Sequence, residues 1–389
     1  MQSITKLIKI TLKKVLSHLP SRNVILFESY PVFSDNTRAV YEHLIKKGKE
    51  EKYRYIWIDT CRDTYIPEIR NKYTKIISVD RNKIWGKVVY NYFIYQAKVL
   101  VSGNIVFKKV KEKQYQLFVS HGTALKDCSA YYHLNDDVDE CLSVSPFFVQ
   151  YDSKNLGISK EKILSYGFPR TDCFFDKKHL DLKSVFPNCD FEKVIMWMPT
   201  FRKHKNGEIC GSDVIFPVIH DRETAIRVNE FAKERKVLLI ILPHFSQEFK
   251  YGFLDSLSNI RVIDNDFLLR RGLILYRIIK ETDAMLTDYS SVIVDYLLLN
   301  KPIGLCFEDY NEYKKNIGFA DNAEQIFSCG MRLYTENDLC SFINDVIRGN
   351  DILKDKREKV IETLDFRCDG KASERTADHI LNILKKTDE

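Results

Sequence analysis

The sequence predicts an α/β protein of two Rossmann-like halves, each built on a parallel sheet, that face each other across a cleft. A chain of 389 residues is long enough for two domains. Short apolar runs alternate with helical stretches, which is typical of a parallel, doubly wound sheet. The alternation lapses in a polar stretch at residues 183–192 and then restarts. We therefore expect a domain boundary near residue 185.

The first half begins after Pro20. A helix is predicted at residues 36–47, behind the first strand. The strands of this half are predicted where a short apolar run has polar flanks, at residues 23–27, 55–58, 98–102 and 115–120.

The second half has a strand–turn–helix–strand unit at residues 283–307. Its first apolar run ends at Thr287-Asp288, and two serines then open an apolar helix that stops before Pro302. A further helix is predicted at residues 221–235, and the tail from 336 to 384 has a helical pattern. The remaining strands of this half are predicted at residues 193–198, 236–242 and 260–263.

The first 20 residues form a basic amphipathic segment without any acidic residue. This segment either lies on a membrane surface or packs as an ordinary surface helix, and the absence of negative charge favours the membrane. It lacks the apolar core of a signal peptide, and no run approaches the ~20 apolar residues of a spanning helix. Its apolar residues at helical spacing are Ile4, Leu7, Ile8, Leu12, Val15, Leu16 and Leu19, with Lys6, Lys9, Lys13 and Lys14 between them.

The predicted organisation has four parts. They are a membrane-associating helix at residues 1–20, an N-terminal Rossmann-like domain at 21–185, a C-terminal Rossmann-like domain at 186–355 and a helical tail at 356–389.

Composition restricts the partners and cofactors. A net charge of +6 suits anionic membranes and phosphate-bearing substrates without demanding nucleic acid. The ten cysteines are scattered singly, which argues against zinc and disulfides and favours a reducing compartment. The sequence has no Gly-x-Gly-x-x-Gly after a strand, no Walker A loop and no Asp-x-Asp beside the serines. We therefore expect neither a cofactor nor an obligatory metal.

Ligands of such sheets bind beyond the carboxyl ends of the strands, and this rule selects the candidate residues. Two of them are histidines, His121 and His244, and a lone histidine is more commonly structural than chemical. Gly122 strengthens the case for His121, because glycine permits close approach to the backbone. The strand-end segments are His121-Gly122-Thr123-Ala124-Leu125-Lys126, Pro199-Thr200-Phe201-Arg202, Pro243-His244-Phe245 and Thr287-Asp288-Tyr289-Ser290-Ser291.

These residue types suit chemistry on phosphates. Two histidines across a cleft could deprotonate one hydroxyl and stabilise or protonate another oxygen. Arg202 and Lys126 could neutralise phosphate charge. Ser290 and Ser291 start a helix, where N–H groups favour an anion, although a helix cap alone would also explain them.

The loop 167–172 is a further candidate. It contains Arg170 and Asp172, which would also be explained by a surface ion pair.

These segments, in this order, resemble the CDP-glycerol:polyol-phosphate glycerophosphotransferase family, the teichoic acid primases and polymerases. The Trp-His-Gly-Thr-Pro-Leu-Lys motif of the family appears with Ser120 and Ala124 in place of its aromatic residue and its proline. A basic residue expected upstream of His244 is absent. The other matching segments are Ser34-Asp35-Asn36, 167–172, 199–202, Thr287 to Tyr296 with Lys301-Pro302, and 369–375.

The resemblance implies a GT-B fold, with the nucleotide in the C-terminal half and the acceptor entering from the N-terminal half. It implies transfer of glycerol phosphate or ribitol phosphate from CDP-glycerol or CDP-ribitol, with release of CMP. In that reaction His121 would be the general base, and His244 and Arg202 would hold the transferring phosphate. Ser290 and Ser291 would grip the diphosphate, and Thr287 and Asp288 of the same motif would belong to the donor-binding site.

The implied acceptor is a lipid-linked saccharide or polyol-phosphate polymer of teichoic acid or capsular polymer biosynthesis. The implied location is peripheral, at the cytoplasmic face of the cell membrane. The nearest alternative is a GT-B glycosyltransferase that uses a nucleotide sugar. A nucleotide-sensing membrane protein would need neither histidine, and nucleic-acid binding is disfavoured because lysine and arginine are spread widely.

Overall fold

The chain divides into two compact units. The computed structural model describes residues 15–48, 51–60, 65–69, 71–130, 132–200, 216–244 and 252–388. Unit 1 contains Met1–His121, Tyr131–Phe175 and Asp369–Glu389, and unit 2 contains Gly122–Ala130 and Asp176–Cys368. The chain thus passes from one unit to the other at residue 175, ten residues before the boundary that the polar stretch suggested.

Unit 1 is built on a parallel sheet with strand order β3-β2-β1-β4-β5-β6-β7. The central strands β1, β2 and β4 are buried on nearly every residue, which explains why most of their residues are apolar. The strands are β1 (Val24–Glu28), β2 (Arg54–Asp59), β3 (Thr74–Ser78), β4 (Ala97–Ser102), β5 (Tyr115–Phe118), β6 (Glu140–Leu142) and β7 (Ile163–Leu164).

The register of this sheet brings three strand ends to one edge. Glu28 of β1 pairs with Ser102 of β4, and Ser102 pairs with Phe118 of β5. The segments that follow these residues therefore leave the sheet side by side. The helices of unit 1 are α1 (Asp35–Lys46), α2 (Ile84–Gln96), α3 (Val149–Leu156) and, from the end of the chain, α13 (Ala372–Asp388).

The C-terminal helix α13 belongs to unit 1 because two contacts fasten it there. Asp172 accepts hydrogen bonds from the N–H groups of Ala372 and Ser373, at 2.9 and 2.7 Å. Further along the helix, His379 Nε2 lies 2.6 Å from Glu140 Oε2, and the Tyr115 hydroxyl contacts the same carboxylate. Residues 369–389 of the predicted tail thus belong to unit 1, whereas its residues 356–368 belong to unit 2.

Unit 2 is built on a second parallel sheet, with strand order β10-β9-β8-β11-β12-β13. Trp197 of β8 pairs with Ile241 of β9 and with Leu286 of β11, so these three strands also end at one edge. The strands are β8 (Lys193–Trp197), β9 (Val237–Ile241), β10 (Ile260–Val262), β11 (Ala284–Thr287), β12 (Ile303–Cys306) and β13 (Met331–Leu333).

The helices of unit 2 cover this sheet. Gly349, after α11, has φ +68°, a left-handed conformation that glycine adopts without strain and that ends the helix. The helices are α4 (Leu182–Val185), α5 (Arg222–Glu234), α6 (Asn265–Arg270), α7 (Leu275–Glu281), α8 (Val292–Leu297), α9 (Tyr310–Asn316), α10 (Ala323–Phe327), α11 (Glu336–Arg348) and α12 (Lys354–Thr363).

The prediction of two parallel-sheet α/β domains is confirmed. The predicted helices at 36–47 and 221–235 match α1 and α5 to within a residue at each end. Most of the predicted N-terminal helix, residues 1–14, lies outside the described residues. Within the described ranges, no helix combines the length and the apolar character needed to cross a membrane.

Candidate active site

His121 follows β5 in unit 1, and its ring is oriented by a backbone carbonyl. Ser120, just before it, has a left-handed φ of +57°, and the His121 side chain is exposed. His121 Nδ1 lies 3.1 Å from the carbonyl oxygen of Gly103. Because a carbonyl oxygen only accepts, Nδ1 carries the hydrogen, and the lone pair of the neutral ring is on Nε2. The histidine thus presents Nε2 as a proton acceptor.

Asn36, at the start of α1, fixes the loop that carries this histidine. Its side chain is fully buried, and its amide nitrogen donates to the carbonyls of Val119 and Ser120, at 3.1 and 2.9 Å. Its amide oxygen accepts from the N–H of Arg170 at 3.1 Å. One buried amide therefore ties the strand end before His121 to the 167–172 loop.

Arg170 contacts the backbone of His121 with its side chain. Its side chain is 6% exposed, so it is not the surface ion pair that was the alternative interpretation. One guanidinium nitrogen donates to Asp35 Oδ1 at 2.7 Å and to the carbonyl of His121 at 2.8 Å. Asp172, in contrast, is occupied by the start of α13, and burial raises its pKa despite those N–H donors. The 167–172 loop thus supports His121 through Arg170.

The sequence motifs assign no role to three residues that support this site. Asp35 and Asn36 lie in a matching segment that carries no assigned role, and Glu28 lies in no motif. Glu28 ends β1 and holds the loop that contains Gly103. A signal existed for it, because a carboxylate at the end of an otherwise apolar strand has to find donors when the sheet is buried.

In unit 2, Asp288 joins two strand ends. It is fully buried and accepts hydrogen bonds from Thr200 N, at 3.0 Å, from the Thr200 hydroxyl and from Tyr289 N, at 2.6 Å. Thr287 Oγ1 donates to the carbonyl of Met198 at 2.7 Å. These residues, which the sequence suggested for donor binding, hold the end of β8 against the end of β11.

The two serines at the end of β11 are half-buried and begin the six-residue helix α8. Ser291 is the N-cap residue but makes no side-chain capping hydrogen bond. Ser290 Oγ accepts from Val292 N only at a long distance of 3.4 Å. Capping therefore accounts for little of what these hydroxyls can do.

The backbone at Gly122 lies close to the side chain of Ser291. A Cβ atom at this position would lie 2.4 Å from Ser291 Oγ. The loop after Gly122 is held within unit 2, since Lys126 forms an antiparallel bridge with Phe319 and Ala320 N donates to Leu125 O at 3.0 Å. The structure thus places the glycine of the histidine motif beside the serine motif.

The remaining candidate residues are Thr123, Lys126, His244 and Arg202. Thr123 is buried, and Lys126 Nζ lies 5.7 Å from the ring centroid of Tyr313. His244 is half-buried, three residues after β9. Arg202 lies outside the described residues. In the part of the chain that the structure describes, no group of three or more histidine, cysteine or acidic residues could hold a metal ion.

Comparison with known proteins decides the family. The family model for CDP-Glycerol:Poly(glycerophosphate) glycerophosphotransferase matches residues 11–382. The chain belongs to this family. The family membership that the sequence motifs predicted is therefore confirmed.

Curated relatives of this glycerophosphotransferase-family chain are distant in sequence. It is 24% identical over 262 residues to a teichoic acid ribitol-phosphate primase of Bacillus spizizenii, covering 64% of this chain and 61% of the relative. It is 24% identical over 364 residues to a teichoic acid poly(ribitol-phosphate) polymerase of the same organism, covering 89% and 54%. The chain thus spans little more than half the length of these two relatives.

A solved structure shows the same fold. The wall teichoic acid polymerase TagF with CDPG superposes with a TM-score of 0.75 at 19% identity, covering 97% of this chain and 94% of that chain. The fold class is GT-B-like, as the resemblance implied.

The role of Asn36 predicts a large effect on stability. Asn36→Ala would leave the carbonyls of Val119 and Ser120 and the N–H of Arg170 buried without this partner. We expect the free energy of unfolding to fall by at least about 2 kcal/mol, since an orphaned buried group costs roughly 1–3 kcal/mol. The exposed Asn135, whose side chain accepts only from Asp137 N, is the matched control. Asn135→Ala should change stability by at most about 0.5 kcal/mol in urea denaturation, and equal losses would contradict the role of Asn36.

Proposed function

We propose that this chain transfers a glycerol-phosphate or ribitol-phosphate unit from a CDP-polyol and releases CMP. The acceptor is a lipid-linked saccharide or a polyol-phosphate polymer, in teichoic acid or capsular polymer biosynthesis. The observation that carries the proposal is the orientation of His121 within a chain of this family. A ring whose Nδ1 donates to a carbonyl and whose other edge is exposed is arranged to take a proton from an incoming hydroxyl.

The reaction needs one proton acceptor and a site for phosphate charge. Nε2 of His121 takes the proton of the acceptor hydroxyl, whose oxygen forms a bond to the phosphorus that carries the polyol. The bond between that phosphorus and the bridging oxygen breaks, and CMP leaves with the electron pair. No covalent enzyme intermediate is required, so the chain contributes positioning and electrostatics.

The donor phosphates are assigned to unit 2. The hydroxyls of Ser290 and Ser291 hydrogen-bond to the diphosphate, and Gly122 leaves the space that Ser291 Oγ occupies. Arg202 and His244 stabilise the charge of the transferring phosphate. Thr200 and Asp288 do not touch the donor in this assignment, since their hydrogen bonds hold the strand ends that carry these groups.

The alternative of a sugar-transferring GT-B enzyme predicts another product. Such an enzyme breaks the bond between the sugar and the diphosphate and releases a nucleoside diphosphate. The proposed reaction breaks the diphosphate and releases CMP. Relatives named as primases and polymerases of polyol phosphates favour the second outcome.

The decisive experiment incubates the purified protein with CDP-glycerol or CDP-ribitol and a synthetic lipid-linked disaccharide. We expect CMP release together with an acceptor whose mass rises by one or more polyol-phosphate units. His121→Ala should lower turnover by about 10²–10⁴-fold and leave CDP-polyol binding nearly unchanged, because the base acts on the acceptor. His179→Ala is the control, since this exposed histidine only pairs with Glu281. A His121→Ala variant with more than about a third of wild-type turnover would remove His121 from the role of base.

The serines predict a separate effect on the donor. Ser290→Ala together with Ser291→Ala should weaken CDP-polyol binding, because each hydrogen bond to a charged phosphate contributes roughly 1.5–3 kcal/mol. The contrast is Thr335→Ala, since Thr335 caps α11 with a complete capping box. That change should lower the melting temperature without affecting the donor. If calorimetry shows unchanged CDP-polyol affinity and only a lower melting temperature for the serine variant, the serines are caps and the assignment fails.

We further propose that the protein binds the cytoplasmic face of the membrane peripherally. The basic segment 1–20 is one contribution, and α2 offers a second. This helix exposes Ile84 and Trp85, at 63% and 78%, and also part of Tyr92. Lys83 and Lys87 flank these side chains in sequence. Tryptophan and lysine side by side on an exposed helix suit the interface of an anionic membrane.

Part of the N-terminal segment packs on unit 1. Leu16 is buried, and the carbonyl of Leu19 accepts from Lys111 Nζ at 2.5 Å. Removal of residues 1–20 would therefore also disturb packing, and a charge variant is the sharper test.

Changing Lys6, Lys9, Lys13 and Lys14 to glutamine should release the protein from anionic vesicles in a co-sedimentation assay. Each basic residue near such a surface contributes about 1 kcal/mol. Turnover of a short-chain, detergent-free acceptor should be nearly unchanged. Lys354, Lys356 and Lys359 on α12 together with the exposed Lys160, all changed to glutamine, control for the loss of four positive charges. Equal sedimentation of the wild type and the N-terminal variant would contradict the membrane role of this segment.

A further inference from the structure

Glu28 contacts three consecutive residues of the loop that follows β4. Its side chain is 3% exposed, and Oε2 accepts from the N–H groups of Asn104 and Ile105, both at 3.1 Å. Its backbone carbonyl accepts from Gly103 N at 3.1 Å and from Thr37 Oγ1 at 3.1 Å. The side chain and the backbone carbonyl of Glu28 thus both bind the same short loop.

The loop in turn holds His121. The carbonyl of Gly103 is the group that lies 3.1 Å from His121 Nδ1. This carbonyl and the N–H of Asn104 belong to one planar peptide group and point in opposite directions. Because both bonds lie in the same plane, the Glu28 carboxylate fixes the direction of the carbonyl when it fixes the direction of the N–H.

We propose that Glu28 is a positioning residue that sets the tautomer and the ring orientation of His121 through the Gly103–Asn104 peptide group. The inference rests on the proposed function, in which Nε2 of His121 takes the proton of the acceptor. Glu28 does not touch substrate. It keeps the hydrogen on Nδ1, so that the lone pair of the neutral ring stays on Nε2.

The free energy that is needed to bury the charged Glu28 carboxylate supports a positioning role, because stability alone does not explain a carboxylate at this place. Burial raises the pKa of Glu28, although the N–H groups of Ile105 and Asn104 act to lower it. A buried carboxyl group that titrates above its ordinary range is a poor source of stability. One of its two backbone donors, the N–H of Asn104, belongs to the peptide group that orients the histidine.

The first test reads the tautomer of His121 directly. With histidines labelled by ¹⁵N, two-bond ¹H–¹⁵N spectra at about pH 8.5 distinguish hydrogen on Nδ1 from hydrogen on Nε2, above the ordinary imidazole pKa of about 6.5. His121→Ala assigns the signal. We expect one Nδ1–H tautomer in the wild type, a mixture of both tautomers in Glu28→Ala and an intermediate spectrum in Glu28→Gln, whose amide oxygen still accepts.

Asp59→Asn is the matched control for these spectra. Asp59 is a buried carboxylate at the end of the neighbouring strand β2, where it accepts from Ser78 Oγ at 2.6 Å. This change should leave the His121 signal as in the wild type. If Glu28→Ala does not fold, Glu28→Gln alone decides, and an unchanged tautomer in Glu28→Gln overturns the proposal.

The second test separates kcat from KM. Misplacing a reacting group by a small distance lowers the chemical step, so kcat of Glu28→Ala should fall by at least about tenfold with an unchanged KM for the CDP-polyol. A changed tautomer with unchanged kcat overturns the positioning role. A wrong proposed function gives a different result. In that case His121→Ala keeps the turnover of the wild type, whereas the tautomer spectra still show whether Glu28 orients His121.

Discussion

The buried side chain of Asn36 is the interaction on which the strand-end face of unit 1 depends. Its amide satisfies two carbonyls at the end of β5 and one N–H of the 167–172 loop, which are far apart in sequence. An asparagine suits this place because it donates and accepts at once, whereas a carboxylate could not donate. Arg170, aligned by the same amide, then reaches the carbonyl of His121. The position of the histidine is therefore a consequence of packing one polar side chain without unpaired groups.

In unit 2, a buried carboxylate instead of an amide satisfies the polar groups at the strand ends. The ends of β8 and β11 present N–H and hydroxyl donors, and the fully buried carboxylate of Asp288 accepts their hydrogen bonds. The residues of the Thr287–Ser291 motif thus divide by function. Thr287 and Asp288 hold the strand ends, whereas Ser290 and Ser291 are half-buried. In the proposed donor site, this support matters because ordering a loosely held hydroxyl on a ligand costs conformational entropy.

The sequence predicts the elements whose signal is local. The central strands β1, β2, β4, β8 and β9 are mostly apolar, and helices α1 and α5 have polar boundaries, so their positions could be predicted from residue patterns. The edge strand β3 was missed because its residues are partly exposed and it lacks an apolar run. The short strands β6 and β7 carry too few residues for any pattern. The assignment of α13 to unit 1 depends on Asp172, some 200 residues away in sequence, and no local pattern records such a contact.

The same distinction explains what motif reasoning found and missed at the site. It proposed His121, Gly122, Ser290 and Ser291, which have residue types suited to chemistry and lie at strand ends. It missed Glu28, since a single acidic residue has no distinctive spacing, and it gave Arg170 and Asp172 no separate roles. Their roles follow from peptide groups that belong to other segments, and only three-dimensional structure shows which groups those are. In this family fold, the residues suited to chemistry are thus visible in sequence, whereas the polar side chains that hold them emerge from the satisfaction of buried backbone groups.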